Sequence, residues 1–532
     1  MSEHSIRQLL DFARRSVAEG DWRSVTSRCI TVLKSDPQQA EAHTLLGLAA
    51  LEGGKPEIAV RAFKTALRED ASFAEARVYL ARILAANGQF AAAESEAAQC
   101  VEKISGNPVL LDTLATLYSR IGRQQKALLL YQQAHKLAPK NVGILANMAA
   151  VQIFLGDSAE AATALKRGLQ LAPDHYRSHW LLAKCHRSEE RAAIQAQLNA
   201  LLSLTQAGTP QALPYLHYAA GKLCEDLADW SAAWEHYQSG ATAQRQRLHY
   251  SNEQEQEVFA AVREYLGAQW YRESGKNAGT ESKNEEVPIF IVGLPRSGST
   301  LVEQILGCHS QVQALGELLQ WPLAVKHHSG NRDVALHSPD SIRASAKKPP
   351  VALGQLYQKN IAHLRNDRRF FTDKLPGNFL YLSLIARALP RARFVHVTRD
   401  PMDAGFAIYK QLFADAYPWS YDLEELGSYY VEYQKLMQDW QDLLGDRIYT
   451  VNYETLVADP QGATRALLDW LELPFESACL KFYQTQTVAA TASASQVREP
   501  IHQRSSGRWQ KFAAQLQPYR TVLESAGILP PG

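Results

Sequence analysis

The chain of 532 residues is short of features that would assign it quickly. Net charge is only +1 and charged residues make up 21%, so no global field draws it to nucleic acid or an anionic membrane surface. No window approaches the roughly 18 consecutive apolar residues of a membrane span. The stretch from Met1 to Arg15 is charged and lacks the apolar core of a signal peptide. Six cysteines, at 29, 100, 185, 224, 308 and 479, show neither C-x-x-C pairing nor zinc-finger spacing, a pattern of free thiols in a reducing compartment. No D-x-D pair or histidine cluster has ligand spacing, so no metal is expected. The expectation is a cytoplasmic protein of two or more domains, without a membrane span or a nucleic-acid partner.

What the chain does have is a clock. Glycines recur at 20, 54, 88, 122 and 156, always 34 residues apart. Prolines 37, 139 and 173 keep the same interval, and Ala59, Ala93, Ala127 and Ala161 each follow a clock glycine by five residues. Phe63 with Ala66, and Tyr131 with Ala134, complete the better-formed units. After residue 187 the period slips, then resumes around Ala228, Ala233 and Tyr237. This resembles the tetratricopeptide repeat, in which small residues sit where two helices cross and a proline ends the second. Residues 1–270 are therefore expected to form an all-α solenoid of six or seven helix pairs, the later ones irregular. Such an array offers a groove for a peptide or protein partner, or serves as a scaffold or dimerisation surface. The period does not choose between these. A polar stretch without apolar periodicity, 271–286, reads as a linker.

Beyond it, short apolar strands alternate with helices. The run Pro288 to Val292 enters a turn, Gly293-Leu-Pro-Arg-Ser-Gly-Ser-Thr300, that opens a helix expected from Leu301 to Leu306. Strand, Gly-rich loop and helix N-terminus together form an anion cradle. The loop aligns with G-x-x-x-x-G-K-[ST], but Ser299 stands in the place of the lysine that reaches the β- and γ-phosphates of a nucleoside triphosphate. Its cation is Arg296. Strands expected at Arg393–Thr398 and 447–452, with helices at 377–389 and Leu423–Leu444, imply a parallel sheet covered on both faces. Ligands then gather at the strands' carboxyl ends.

Five blocks between 287 and 515 resemble the sulfotransferases that use 3′-phosphoadenosine 5′-phosphosulfate (PAPS), in particular the protein-tyrosine sulfotransferases and bacterial relatives fused to tetratricopeptide repeats. The resemblance implies an α/β P-loop-type sulfotransferase domain over 287–532, with PAPS as co-substrate. Pro295, Arg296, Ser297, Gly298, Ser299 and Thr300 would form the 5′-phosphosulfate loop. Glu317, 21 residues after Arg296, matches the glutamate base of the tyrosyl branch. Lys374, in Thr372-Asp-Lys-Leu-Pro, matches the lysine that contacts the transferring sulfuryl group. Arg399 matches the arginine on the 3′-phosphate, and Tyr453, Ser493, Gln496, Val497 and Arg508 match positions that close over the nucleotide. Asp403 and Arg391 read as structural. His309 reads as a helix-end residue, and His327 and His328 remain the alternative to Glu317 as base.

One departure stands out. The family's serine eight residues after the Arg399 position is Ala407 here, and a later arginine of the tyrosyl enzymes aligns with Gln411. Either the 3′-phosphate is held more weakly, or Arg399 and Arg508 carry more of the load.

Sulfuryl transfer moves a compact anionic group between two oxygens, so positioning and charge stabilisation should carry most of the catalysis, as in phosphoryl transfer. Arg296 and the loop N–H groups would hold the 5′-phosphate, and Lys374 would meet charge on the leaving oxygen. A glutamate carboxylate is ionised near neutrality and can take the acceptor's proton. The acceptor is a hydroxyl: a protein or peptide tyrosine, as the tyrosyl branch implies, or a sugar, lipid or small metabolite. The competing readings are a nucleotide-binding repeat scaffold without catalysis and an atypical P-loop kinase.

Overall fold

The computed structural model describes residues 1–187, 189–274, 286–331, 335–484 and 500–530. The chain divides into two compact units, Met1–Val151 and Gln152–Gly532.

The first unit is helical throughout, and its helices come in pairs such as Ala40–Glu52 with Pro56–Glu69 and Pro108–Arg120 with Gln124–Leu137. The 34-residue clock is a backbone requirement. Gly20, Gly54, Gly88 and Gly122 all turn between the two helices of a pair with φ between 68° and 82°, a region that costs glycine nothing and other residues about 1–2 kcal/mol. Ala59, Ala93 and Ala127 are fully buried at the helix crossings. At Gly47 the Phe63 ring lies where a Cβ would stand, 2.5 Å from its ideal position. The repeat therefore specifies both a turn and a close approach.

The second unit holds the later helix pairs and an α/β core. Gly156 keeps the clock's positive φ at 96°, and after the slip Ala228 takes the same turn at φ 65°. The small-against-aromatic contact also returns, because a Cβ at Gly221 would meet the Tyr237 ring at 2.7 Å. Helices therefore pair up to Trp230–Arg245, followed by Asn252–Leu266 and Ala268–Ser274.

The sheet has five parallel strands in the order β2-β3-β1-β4-β5, where β1 is Val287–Gly293, β2 Val312–Ala314, β3 Phe370–Asp373, β4 Arg393–Thr398 and β5 Ile448–Asn452. Every residue of β1 is buried, as a central parallel strand demands. Its side chains divide by the strand's period of two. Ile289 and Ile291 join the core beneath the helices Ser299–Gly307 and Pro460–Trp470, whereas Phe290 and Val292 enter the core on the opposite face.

That second core extends without a break into the repeat-like helices, taking in Leu216, Tyr218, Leu223, Val258, Phe259 and Val262. Hydrogen bonds fasten the same layer. Tyr218 donates its hydroxyl to Tyr409 O at 3.0 Å, Ser383 to Leu266 O at 2.6 Å, and the Trp270 indole to Ala346 O at 2.9 Å. Arg245 holds Glu425 and Arg263 holds Glu432. The helices out to Ser274 thus form a layer of the α/β unit. β1, β4, β5 and the helix Leu423–Leu444 fall where sequence patterning places them, β2 and β3 are strands it did not mark, and the loop helix is longer, Ser299–Gly307. Over 377–389 a 3-10 turn, Pro376–Tyr381, precedes a short α-helix, Leu382–Ala388. Among the described residues no helix is long and apolar enough to cross a membrane.

Candidate functional site

Strand order creates the site. From β1 the chain runs to β2 and β3 on one side, then crosses to β4 and β5 on the other. The crevice of a parallel sheet opens where the winding reverses, at the carboxyl ends of β1 and β4. Each strand delivers a candidate residue at that edge: Glu317 after β2, Lys374 after β3, the 293–300 loop from β1, Arg399 after β4 and Tyr453 after β5.

The loop is tight because its neighbours leave no room. Gly293 pairs with Val397 of β4 at φ 146°, and a Cβ there would lie 2.5 Å from the Val397 carbonyl oxygen. Gly298, at φ 106°, precedes the helix, and a Cβ there would meet the Tyr453 ring at 2.6 Å. Arg296 itself takes φ 65°, a left-handed conformation unusual for arginine. Burial, then the nearby Arg399 charge, push the Arg296 pKa down to about 10, so it remains a cation in a setting that favours an anion. The same field reaches Lys184, whose ammonium lies over the Trp180 ring at 3.5 Å and whose pKa is lowered to about 7 by burial and then by Arg296.

A cavity enclosing about 870 Å³ of empty space, part of it open to solvent, lies against this loop. Arg296, Gly298, Thr300, Arg399, Tyr453 and Arg508 all face it. Arg399 donates Nη1 to Arg296 O at 3.1 Å and Nη2 to Ser505 O, and its guanidinium lies 4.9 Å from the Tyr453 ring. Asp403 accepts from the Gly507 and Trp509 amides and so anchors the segment that carries Arg508. Pro295, Ser297 and Ser299 complete the loop without facing the cavity. Ser493, Gln496 and Val497 lie outside the described residues.

The structure also joins Glu317 to Lys374, with Lys374 Nζ donating to Glu317 Oε1 at 2.5 Å. Lys374 is fully buried, whereas the Glu317 side chain is 39% exposed and open to a partner arriving from solvent. Backbone pairing sets the distance, because the Lys374 amide donates to Gly316 O at 3.0 Å. Glu303, on the loop helix, fixes the turn by accepting from the Gly316 amide at 2.9 Å and the Thr372 hydroxyl at 2.8 Å. Burial holds the Glu303 carboxyl above its ordinary range, against the pull of Lys374. Sequence reading passed over Glu303; its trace is a carboxylate within the apolar run Leu301 to Leu306. His309 is occupied by Pro474 O at 2.9 Å, and His327 and His328 end the helix Gln320–Ser329 without facing the cavity.

The residues present suit a phosphorylated nucleotide. Arg399, which lines the cavity, has a buried Nε with no hydrogen-bond partner among the described residues, and cations outnumber carboxylates around the cavity. These are donors held in place for an anion.

Comparison with known proteins identifies the same two kinds of region. Residues 288–477 match the model of the sulfotransferase family, and residues 44–108 and 122–185 match tetratricopeptide repeats. An uncharacterised protein of Aquifex aeolicus is 27% identical over 406 residues, 74% of this chain and 52% of that protein, so the chain spans about half the length of this relative. Protein-tyrosine sulfotransferase 1 of Danio rerio is 24% identical over 253 residues, covering 44% of this chain and 70% of the relative. The protein-tyrosine sulfotransferase of Drosophila melanogaster is 25% identical over 254 residues, 44% of this chain and 49% of the relative. Among solved structures, the sulfotransferase domain of the Synechococcus PCC 7002 olefin synthase is similar at 21% identity and TM-score 0.36, covering 47% of this chain and 98% of that domain, a likeness too loose to carry an argument.

Proposed function

We propose that this chain, in which a sulfotransferase-family domain is joined to tetratricopeptide repeats, transfers the sulfuryl group of PAPS to a hydroxyl acceptor with Glu317 as base. The observation that carries this reading is the cavity at the switch point, where Arg296, Arg399 and Arg508 converge on a loop that has Ser299 in place of the triphosphate-binding lysine. When bound, PAPS supplies an activated sulfuryl group and a phosphate leaving group.

The loop amides, the helix N-terminus and Arg296 hold the 5′-phosphate, while Arg399 and Arg508 face the nucleotide end of the cavity. Glu317 takes the proton of the acceptor hydroxyl as its oxygen bonds to sulfur. Lys374 meets the electron pair left on the phosphate oxygen as the old sulfur–oxygen bond breaks. The ion pair serves both steps: it holds two side chains from different strands at one point, and exposure leaves Glu317 reachable. A general base contributes about 10²–10⁴ in rate and a charge-stabilising donor about 10²–10³.

The 253- and 254-residue likenesses to protein-tyrosine sulfotransferases favour a tyrosine acceptor, and the repeats supply a surface for a peptide or protein partner. Purified protein incubated with ³⁵S-labelled PAPS and host-cell extract, then fractionated by size, tests this. Label in the protein fraction, released as tyrosine sulfate, is the expected result. Label in small molecules would place the acceptor elsewhere while keeping the reaction. Absence of transfer together with tight nucleotide binding would favour a nucleotide-sensing scaffold, and turnover of ATP with Mg²⁺ would favour a kinase.

A further inference from the structure

The absence of the family's serine at Ala407 raises the question of what else meets the nucleotide's 3′-phosphate. Ala407 does face the cavity, on the helix Pro401–Tyr409 that follows Arg399. The Gln411 side chain turns back to Leu412 O at 3.0 Å and takes no part in the lining. Lys410 does. It caps the C-terminus of that helix, three residues beyond Ala407, and long side chains near a helix end lean over the turn N-terminal to their own Cα. Its ammonium lies 4.8 Å from the centre of the ring of Phe406, the residue before Ala407.

The ammonium is held from behind. Glu225, on the helix Leu213–Asp226 of the repeat-like layer, is only 4% exposed and accepts from Lys410 Nζ with both oxygens, at 2.9 and 3.2 Å. Arg508 donates to the same carboxylate at 2.6 Å and Tyr237 at 2.7 Å. Burial works against ionisation of Glu225, yet Lys410 and Arg508 outweigh it and hold the carboxyl below its usual range. One carboxylate neutralises one of these two cations, so the cluster keeps an excess positive charge facing the cavity. Lys410 has three N–H donors, and among the described residues its hydrogen bonds go to Glu225 alone.

We propose that Lys410 binds the 3′-phosphate of the nucleotide in place of the side chains absent at 407 and 411, and that Glu225 is the positioning residue that aims it. This rests on the sulfotransferase reading of the cavity. It gives the helix pair Leu213–Asp226 and Trp230–Arg245 a direct part in donor recognition, because Glu225 and its partner Tyr237 both come from that pair.

Calorimetric titration of the full chain with adenosine 3′,5′-bisphosphate and with adenosine 5′-phosphate tests it, since the two differ only in the 3′-phosphate. Wild type should prefer the bisphosphate. Lys410→Met should weaken bisphosphate binding about 10- to 100-fold, the size of a lost charged hydrogen bond, and leave the monophosphate almost unchanged. Lys410→Arg should restore most of the preference. Glu225→Gln should reduce the preference alone and reduce it little further in the Lys410→Met background, as expected of a residue that acts through another. That double variant also replaces the buried carboxylate, which in Lys410→Met is left with Arg508 as its remaining cationic partner, so it keeps the test valid if Lys410→Met fails to fold. Undiminished preference for the bisphosphate in the double variant would overturn this assignment alone. Wild type binding neither nucleotide would overturn the sulfotransferase reading and this assignment with it.

Discussion

Gly298→Ala should damage both stability and nucleotide binding, and the two effects share one cause. An alanine Cβ would stand 2.6 Å from Tyr453 Cδ2 and 3.3 Å from Cε2, where carbon atoms rest about 3.5–4.0 Å apart. The ring must retreat by about 1 Å. The backbone at φ 106° adds strain of about 1–3 kcal/mol for a residue with a Cβ, and displacing a packed ring typically adds about 1–3 kcal/mol. The expected loss is about 2–6 kcal/mol. Because Tyr453 packs against Arg399, its retreat should shift a cavity cation and lower affinity for adenosine 3′,5′-bisphosphate at least about tenfold. Gly527→Ala is the control. It shares the positive φ, at 72°, but nothing lies within 4 Å of its added Cβ, so it should cost only about 1–2 kcal/mol and leave binding intact. Urea denaturation and calorimetry on both variants supply the comparison. Equal loss of stability with full nucleotide affinity in Gly298→Ala would refute the packing argument.

Further outcomes follow from individual groups. His396 is buried beside the Tyr433 hydroxyl and burial lowers its pKa to about 4. Its contribution is therefore present above the unfolded value near 6.5 and lost as pH falls from 6.5 towards 4, about 3 kcal/mol at most; denaturation measured across that range should show the loss, and His396→Gln should flatten it. Ala228→Gly should raise stability by about 0.5–1 kcal/mol in urea denaturation, because Ala228 holds φ 65° where the clock elsewhere places glycine. Glu303→Ala should orphan the Gly316 amide and the Thr372 hydroxyl, costing about 2–4 kcal/mol and lowering kcat more than it raises the KM for PAPS, since the turn that carries Glu317 loses its anchor.

Much of this architecture was legible in the sequence. The clock glycines are visible because one backbone conformation recurs every 34 residues, and only glycine adopts it freely. The loop at 293–300 shows through because two backbone approaches each exclude a Cβ. Arg399 and Tyr453 were legible as strand-end residues, since each follows an expected apolar strand, whereas Glu317 and Lys374 rested on the resemblance alone because β2 and β3 are too short and mixed to read as strands. What pattern could not show is contact between distant segments. Nothing local to Glu225 announces a carboxylate that meets a lysine 185 residues later, and the slip after residue 187 hides how closely the helices up to Ser274 pack on the sheet. Alignment spacing points to 411, and nothing local marks Lys410, which lines the cavity from the C-cap of the helix Pro401–Tyr409.

The measurement that tests the central claim most directly is single-turnover transfer of ³⁵S from PAPS to a tyrosine-containing acceptor peptide, wild type beside Glu317→Gln, with nucleotide affinity measured on both. A base at Glu317 predicts transfer by the wild type, a fall of about 10²–10⁴ in the variant, and unchanged affinity for adenosine 3′,5′-bisphosphate. Equal rates for the two proteins, or a wild type that binds the nucleotide and transfers nothing to tyrosine or any other hydroxyl offered, would contradict the account.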